Sequence, residues 1–232
     1  GIVMDDGTVA HLAKNHFIVT TTTANAVQVY RHMEFCRQCL WPEMDVALIS
    51  ITEQWAQYAI AGPKSRHLLE KIIDNDHDIS NSNFPYMACD EISICNGIRA
   101  RLFRLSFSGE MAYELAVPAR YSDALIRHIH EIGKTFDLTP YGTEALGVMR
   151  IEKGHAAGNE LNGQTTAGDL GLGKMVSKKK DSIGSILSER EGLVDPMRHI
   201  LVGVMPCDPQ QKISSGSHIF ASKSACTPSN DL

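Results

Sequence analysis

The sequence predicts an α+β chain in which β-type runs and amphipathic helices follow one another. Three observations carry this reading. Tyr121, Leu125, Ile129 and Ile132 recur at spacings of 4, 4 and 3, and Val29, Met33, Cys36 and Leu40 at 4, 3 and 4, each a helical stripe. Ile92-Ser93-Ile94-Cys95-Asn96-Gly97-Ile98-Arg99 reads as two short strands about an Asn-Gly turn, the pairing that suits a type I′ hairpin. The remaining apolar tracts, such as residues 46–51, are strand-sized, well short of the roughly 18 residues a membrane span needs.

Taken in order, residues 16–23 form a β-rich run, Phe17-Ile18-Val19 followed by four threonines. Asn25 is placed to cap the first helix, and Trp41-Pro42 to close it. Residues 46–52 and 55–60 read as paired strands. Gly62-Pro63 starts a second helix with Leu68, Leu69, Ile72 and Ile73 inward. Residues 75–85 are polar and loop-like. The Asn-Gly hairpin follows, its second arm running from Ile98 towards Phe107, and then the helix that begins near Tyr121. The recurring order strand, helix, strand, strand, helix predicts ferredoxin-like units, split β-α-β halves packed together. Leu201-Val202-Gly203-Val204-Met205 opens a different, all-β stretch, and Ser217-His218-Ile219-Phe220 is strand-like. The expected division is 1–195 for the α+β region and 196–232 for the start of a small β-barrel. A first residue that is Gly1 rather than methionine, and an end soon after a strand-like run, predict a piece of a longer polypeptide.

At 232 residues the chain can bury a sizeable core. Its net charge of −5 argues against non-specific nucleic-acid binding, so an anionic ligand would need locally placed arginine or lysine. No signal peptide is visible. Six scattered cysteines do not make a disulfide framework and point to a reducing, cytoplasmic setting. Cys36-Arg37-Gln38-Cys39 has no second pair to complete a zinc site and sits at a helix end, so core packing is expected and no metal. Gly171-Leu172-Gly173-Lys174 fits neither nucleotide-binding fingerprint.

The most informative stretch is Leu105-Ser106-Phe107-Ser108-Gly109-Glu110-Met111-Ala112-Tyr113-Glu114-Leu115. A β-type run enters a glycine turn, and two carboxylates follow four residues apart. In a strand, Glu110 and Glu114 would share one face. A carboxylate can accept two parallel N–H bonds from an amino-pyrimidinone edge, and the rings of Phe107 and Tyr113 could cover its faces. The same residues also fit an ordinary hairpin with exposed glutamates, and they leave open which glutamate reaches inward.

Four segments in order resemble the aminomethyltransferase family, which contains the glycine-cleavage T-protein and the folate domains of sarcosine and dimethylglycine oxidases. They are Gly1-Ile2-Val3-Met4-Asp5-Asp6-Gly7-Thr8-Val9, the stretch from Ser106 to Leu115, the run from Gly142 to Gly154 with its Arg150-Ile151-Glu152, and residues 167–180. T-T-T-T-A-N-A, E-F-C-R-Q-C-L-W-P-E-M-D and E-Q-W-A-Q-Y-A-I-A-G-P-K-S-R resemble, within that family, the branch formed by alpha subunits of heterotetrameric sarcosine oxidases.

The resemblance implies a fold and a chemistry. The α+β region would bind tetrahydrofolate and pass to it the one-carbon unit of the imine from sarcosine oxidation, giving 5,10-methylenetetrahydrofolate and glycine. Asp6 falls at the family's constant aspartate and would assist the transfer. Glu114, with Glu110 as the alternative, would hold the pterin edge beside Phe107 and Tyr113. Arg150 would grip the glutamate tail, and Thr20 and Thr22 lie in a segment that lines the pocket largely through backbone atoms. FAD or FMN and NAD would belong to other parts of a complex with beta, gamma and delta subunits. Neither a nucleic acid nor a membrane partner is implied. Alternatives from the same resemblance are a stand-alone T-protein and a non-catalytic folate-binding or structural domain. An iron–sulphur assembly role is disfavoured, because His155 stands where that branch has cysteine.

Overall fold

A computed structural model describes residues 1–219. The chain divides into two units, Gly1–Leu201 and Val202–Leu232. The first unit opens with a hairpin of β1 (Val9–Ala13) and β2 (His16–Val19). Helix α1 (Ala26–Phe35) follows and runs into a π-turn, Cys36–Leu40. Then come β3 (Trp55–Ala61), α2 (Ser65–Leu69), β4 (Cys89–Ile94), β5 (Ile98–Phe103), β6 (Ala112–Pro118), α3 (Ser122–Gly133) and α4 (Thr143–Lys153). The class is α+β, as the sequence predicts.

The four-stranded sheet is antiparallel throughout, in the order β3-β6-β5-β4. The connection through α2 carries the chain from one edge to the other, and β5 and β6 fill the space between. Strand alternation then assigns each residue of β6 to a face. Tyr113, Leu115 and Val117 turn to the helix side, where they are fully buried with Leu68 and Leu69 of α2, Leu125 and Ile129 of α3, and Ile94 and Leu102 of the hairpin. Each such aliphatic side chain contributes about 1.5–3 kcal/mol on burial. The predicted stripes of α2 and α3 are therefore core. The opposite face is thinner: Phe103 and Ala116 pack with Ala10 of β1, and Ile18, Trp55 and Leu105 lie against them. Arg101 is buried on this face, its guanidinium 3.8 Å from the Trp55 ring and its Nε donating to Glu91.

Three local expectations change. Residues 46–52 form no strand, and β3 pairs instead with β6 in a seven-residue register from Trp55↔Pro118 to Ala61↔Ala112. The Asn-Gly hairpin closes through three residues rather than two: Cys95, Asn96 and Gly97 all have positive φ, inside the Ile94↔Ile98 pair. Asn25 stands at the N-cap of α1, but its side chain makes no cap bond.

In the second unit, residues 202–219 contain neither helix nor strand, so the strand expected at Leu201–Met205 has no ladder partner among the described residues. The strand-like run ending at Phe220 extends beyond the described residues. Among those residues no helix is long and apolar enough to cross a membrane, and no group of three or more His, Cys, Asp or Glu is arranged to hold a metal.

Candidate active site

The Asp5-Asp6 pair divides its work. Asp5 is saturated from within: its carboxylate accepts from the Thr22 amide at 2.9 Å, the Thr22 hydroxyl at 2.8 Å and Asn25 Nδ2 at 3.0 Å. It ties the N-terminal segment to the turn before α1. Asp6 faces elsewhere. Its Oδ2 lies 3.1 Å from His155 Nε2, and its Oδ1 has no partner among the described residues. Gly7 is required beside it, because an added Cβ would meet the Thr20 carbonyl oxygen at 2.0 Å.

Thr20 and Thr22 spend their hydroxyls internally. Thr20 Oγ1 accepts from the Thr8 amide at 2.9 Å and pairs with the Thr8 hydroxyl at 2.8 Å, and Thr22 bonds Asp5. Their amides are engaged as well, that of Thr20 by the Thr8 carbonyl at 2.9 Å and that of Thr22 by Asp5, which leaves only carbonyl oxygens to face a ligand.

His155 follows the stop of α4, where Gly154 takes a left-handed φ of 77° as the sequence predicts for a helix end. The His155 amide donates to the Arg150 carbonyl at 2.8 Å, and Arg150 Nη1 donates back to the His155 carbonyl at 3.2 Å. The Phe107 ring meets the imidazole edge-on, centroids 4.8 Å apart and planes at 71°. The loop bearing Phe107 is tied to the same helix, since Lys153 Nζ donates to the Ser106 carbonyl. Asp6, His155 and Phe107 thus meet in one half-buried cluster drawn from three distant segments. Next to Phe107, the Ser108 hydroxyl is buried without a hydrogen-bond partner.

Arg150 does not pair with Glu152. Its Nη1 donates to Glu160 at 2.8 Å, and Glu160 also accepts from the Ala157 amide at 2.9 Å. Nε and Nη2 have no partner among the described residues, so Arg150 braces the turn that holds His155 while keeping donors open.

Glu114 lies on β6, half-buried on the face of Ala112 and Ala116. Gln57 Nε2 donates to its Oε2 at 2.5 Å. Burial pushes its carboxyl above the usual carboxylate range. Glu110 is exposed in the loop before β6, so the shared strand face expected for the two glutamates does not arise. Tyr113 is a correction of a different kind. It is the strand neighbour of Glu114 and therefore points to the opposite face. There it is fully buried, its hydroxyl accepting from Arg66 Nε at 2.8 Å and its ring 6.5 Å from that of Phe84. It is core, not a ring flanking Glu114.

The contacts of Glu160 with Arg150, of Gln57 with Glu114 and of His155 with Asp6 were not expected from the sequence. Only His155 had a local signal, a polar ring just past a helix-ending glycine. Cys36 is buried, as expected from its stripe, whereas Cys39 is exposed. A cavity of about 600 Å³ lies between β3, α3 and residues 136–141, and none of the predicted site residues lines it.

Residues 1–180 match the family model described as the GCVT N-terminal domain. The sarcosine oxidase subunit alpha of Rhizobium meliloti (strain 1021) is 54% identical over 233 residues, covering 100% of this chain and 23% of that protein. The subunit of the same name from Corynebacterium sp. (strain U-96) is 39% identical over 95% of this chain and 23% of its own length. An aminomethyltransferase of Thermoanaerobacter sp. (strain X514) is 31% identical over 74% of this chain and 45% of its own. A solved heterotetrameric sarcosine oxidase from Corynebacterium sp. U-96, in complex with pyrrole 2-carboxylate, aligns over 61% of this chain and 66% of its own at 13% identity and a TM-score of 0.44. This chain spans about a quarter of the length of the sarcosine oxidase subunits it matches. By its family model and its whole-length relatives, the chain belongs to the GCVT N-terminal domain family.

Proposed function

We propose that this chain is the tetrahydrofolate-binding part of a sarcosine oxidase alpha subunit, transferring the one-carbon unit of the sarcosine-derived imine to tetrahydrofolate to give 5,10-methylenetetrahydrofolate and glycine. The observation that carries the reading is the unequal Asp5-Asp6 pair. One carboxylate is consumed by structure, and the other is held by a single oxygen with the second left open. The sarcosine oxidase alpha subunits and the aminomethyltransferase that match this chain support the substrate class.

The residues present suit a reduced folate. The half-buried Glu114 carboxylate can accept paired N–H groups from a pterin edge. Phe107 offers a ring surface, and the partnerless Ser108 hydroxyl beside it is a buried polar group that a bound ligand would satisfy. The open Nε and Nη2 of Arg150 can take a carboxylate of the glutamate tail. Tetrahydrofolate supplies the nucleophilic nitrogens that take up the carbon. Asp6 Oδ1 accepts the proton released by an attacking amine and stabilises positive charge beside it. Glu110, exposed in the loop before β6, is the alternative carboxylate for the pterin edge. Flavin and NAD belong to the remainder of the enzyme, and the other subunits are its partners.

Carbon tracing tests this. The complete enzyme is given methyl-labelled sarcosine and tetrahydrofolate, and the label is followed into methylenetetrahydrofolate or formaldehyde. Asp6→Asn should divert label to formaldehyde while sarcosine oxidation continues. Unchanged partition in Asp6→Asn would overturn the assignment.

A further inference from the structure

We infer that His155 is the positioning residue for Asp6: its Nε2–H fixes Oδ2 and so presents Oδ1 to the ligand amine. The inference rests on the folate reading above. Four observations carry it. First, the two side chains meet at 3.1 Å from positions 149 residues apart, each preset by its own segment. On the Asp6 side, the Asp5 anchor and the Gly7–Thr20 backbone contact leave little freedom, and the Val3 amide is bonded to the Thr165 carbonyl at 2.9 Å. On the His155 side, both backbone groups are taken up by Arg150.

Second, the imidazole packs edge-on against Phe107, which favours the ring orientation that meets Asp6. Third, an ionised carboxylate only accepts, so a neutral His155 must carry its proton on Nε2. Its Nδ1 then has no partner among the described residues. Fourth, the side chains of Asp6 and His155 remain 30% and 31% exposed. A pair this open adds little to stability, so its worth lies in where it puts the free oxygen.

The test has two arms on this chain. Long-range proton–nitrogen spectra, with His155 identified by its loss in His155→Gln, should show the Nε2–H form at mildly alkaline pH. A ring protonated on Nδ1 would overturn the contact. The second arm is a fluorescence titration with 5-formyltetrahydrofolate. His155→Leu should weaken binding roughly tenfold, about 1.4 kcal/mol. His155→Gln, whose amide can donate at the place of Nε2, should restore affinity to within about twofold of wild type. Both variants should melt as wild type does. Equal binding by His155→Leu and wild type, or equal loss in both variants, would overturn the positioning role. If wild type itself, and the full-length subunit after it, fail to bind, the folate reading falls, while the ring tautomer still decides the Asp6–His155 contact.

Discussion

Gly7→Ala should destabilise the chain by about 3 kcal/mol, and the number follows from one close approach. An added Cβ would sit 2.0 Å from the Thr20 carbonyl oxygen and 2.9 Å from its carbon. Carbon and oxygen in contact settle at about 3.3 Å, so the two backbones must part by roughly 1.3 Å. That parting breaks the Thr20 amide to Thr8 carbonyl bond and the Thr8 amide to Thr20 hydroxyl bond, both 2.9 Å. Each is worth about 1 kcal/mol net, and residual overpacking adds about 1 kcal/mol more. Asp6 is the preceding residue and must move as well, so folate affinity should fall with stability. Gly147→Ala is the control. It lies inside α4 with open space where its Cβ would go, and should stabilise by about 0.5–1 kcal/mol. Urea unfolding at constant m-value reads both. A Gly7→Ala cost below about 0.5 kcal/mol would refute the close-approach reasoning.

Tyr113→Phe should lose the Arg66 bond and about 1–2 kcal/mol of stability, with folate affinity unchanged; a weakened folate titration would return Tyr113 to the site. Burial raises the Glu114 pKa in the folded state, so stability is full below the ordinary value of 4.5 and declines as pH rises through the raised one. Glu114→Gln should therefore be the more stable protein at neutral pH, and urea midpoints should converge in acid. Asp169 has the opposite sign. The Arg198 guanidinium and the Thr166 amide hold its carboxyl well below the usual range, so its contribution is present above 3.8 and lost as pH falls through the lowered value. Melting temperatures of Arg198→Met should accordingly fall less steeply with acid than those of wild type.

Local pattern made much of the fold legible. Leu68, Leu69, Ile72 and Ile73 are buried, and so are Leu125 and Ile129, because helical spacing leaves an apolar stripe one place to go. Partner choice was not legible. Residues 46–52 are a strand-sized apolar run, yet apolar content does not say which strand β3 will accept. The hairpin gained a residue because Asp74, 22 residues upstream of Asn96, accepts the amides of Asn96 and Gly97 at 2.9 Å each. Asp6 and Glu114 are proposed by residue type and motif, whereas the side chains they contact, His155 and Gln57, come from distant segments that no local pattern joins. The exclusion of Tyr113 was available beforehand, since a residue adjacent to Glu114 in a strand must face away from it.

The most direct test of the central claim is a calorimetric titration of the folded chain with a stable reduced folate, run beside Glu114→Ala. The account predicts saturable binding at one site, weakened roughly tenfold or more by the substitution, about 1.4 kcal/mol. A folded chain, and the full-length subunit after it, that takes up no folate would contradict it.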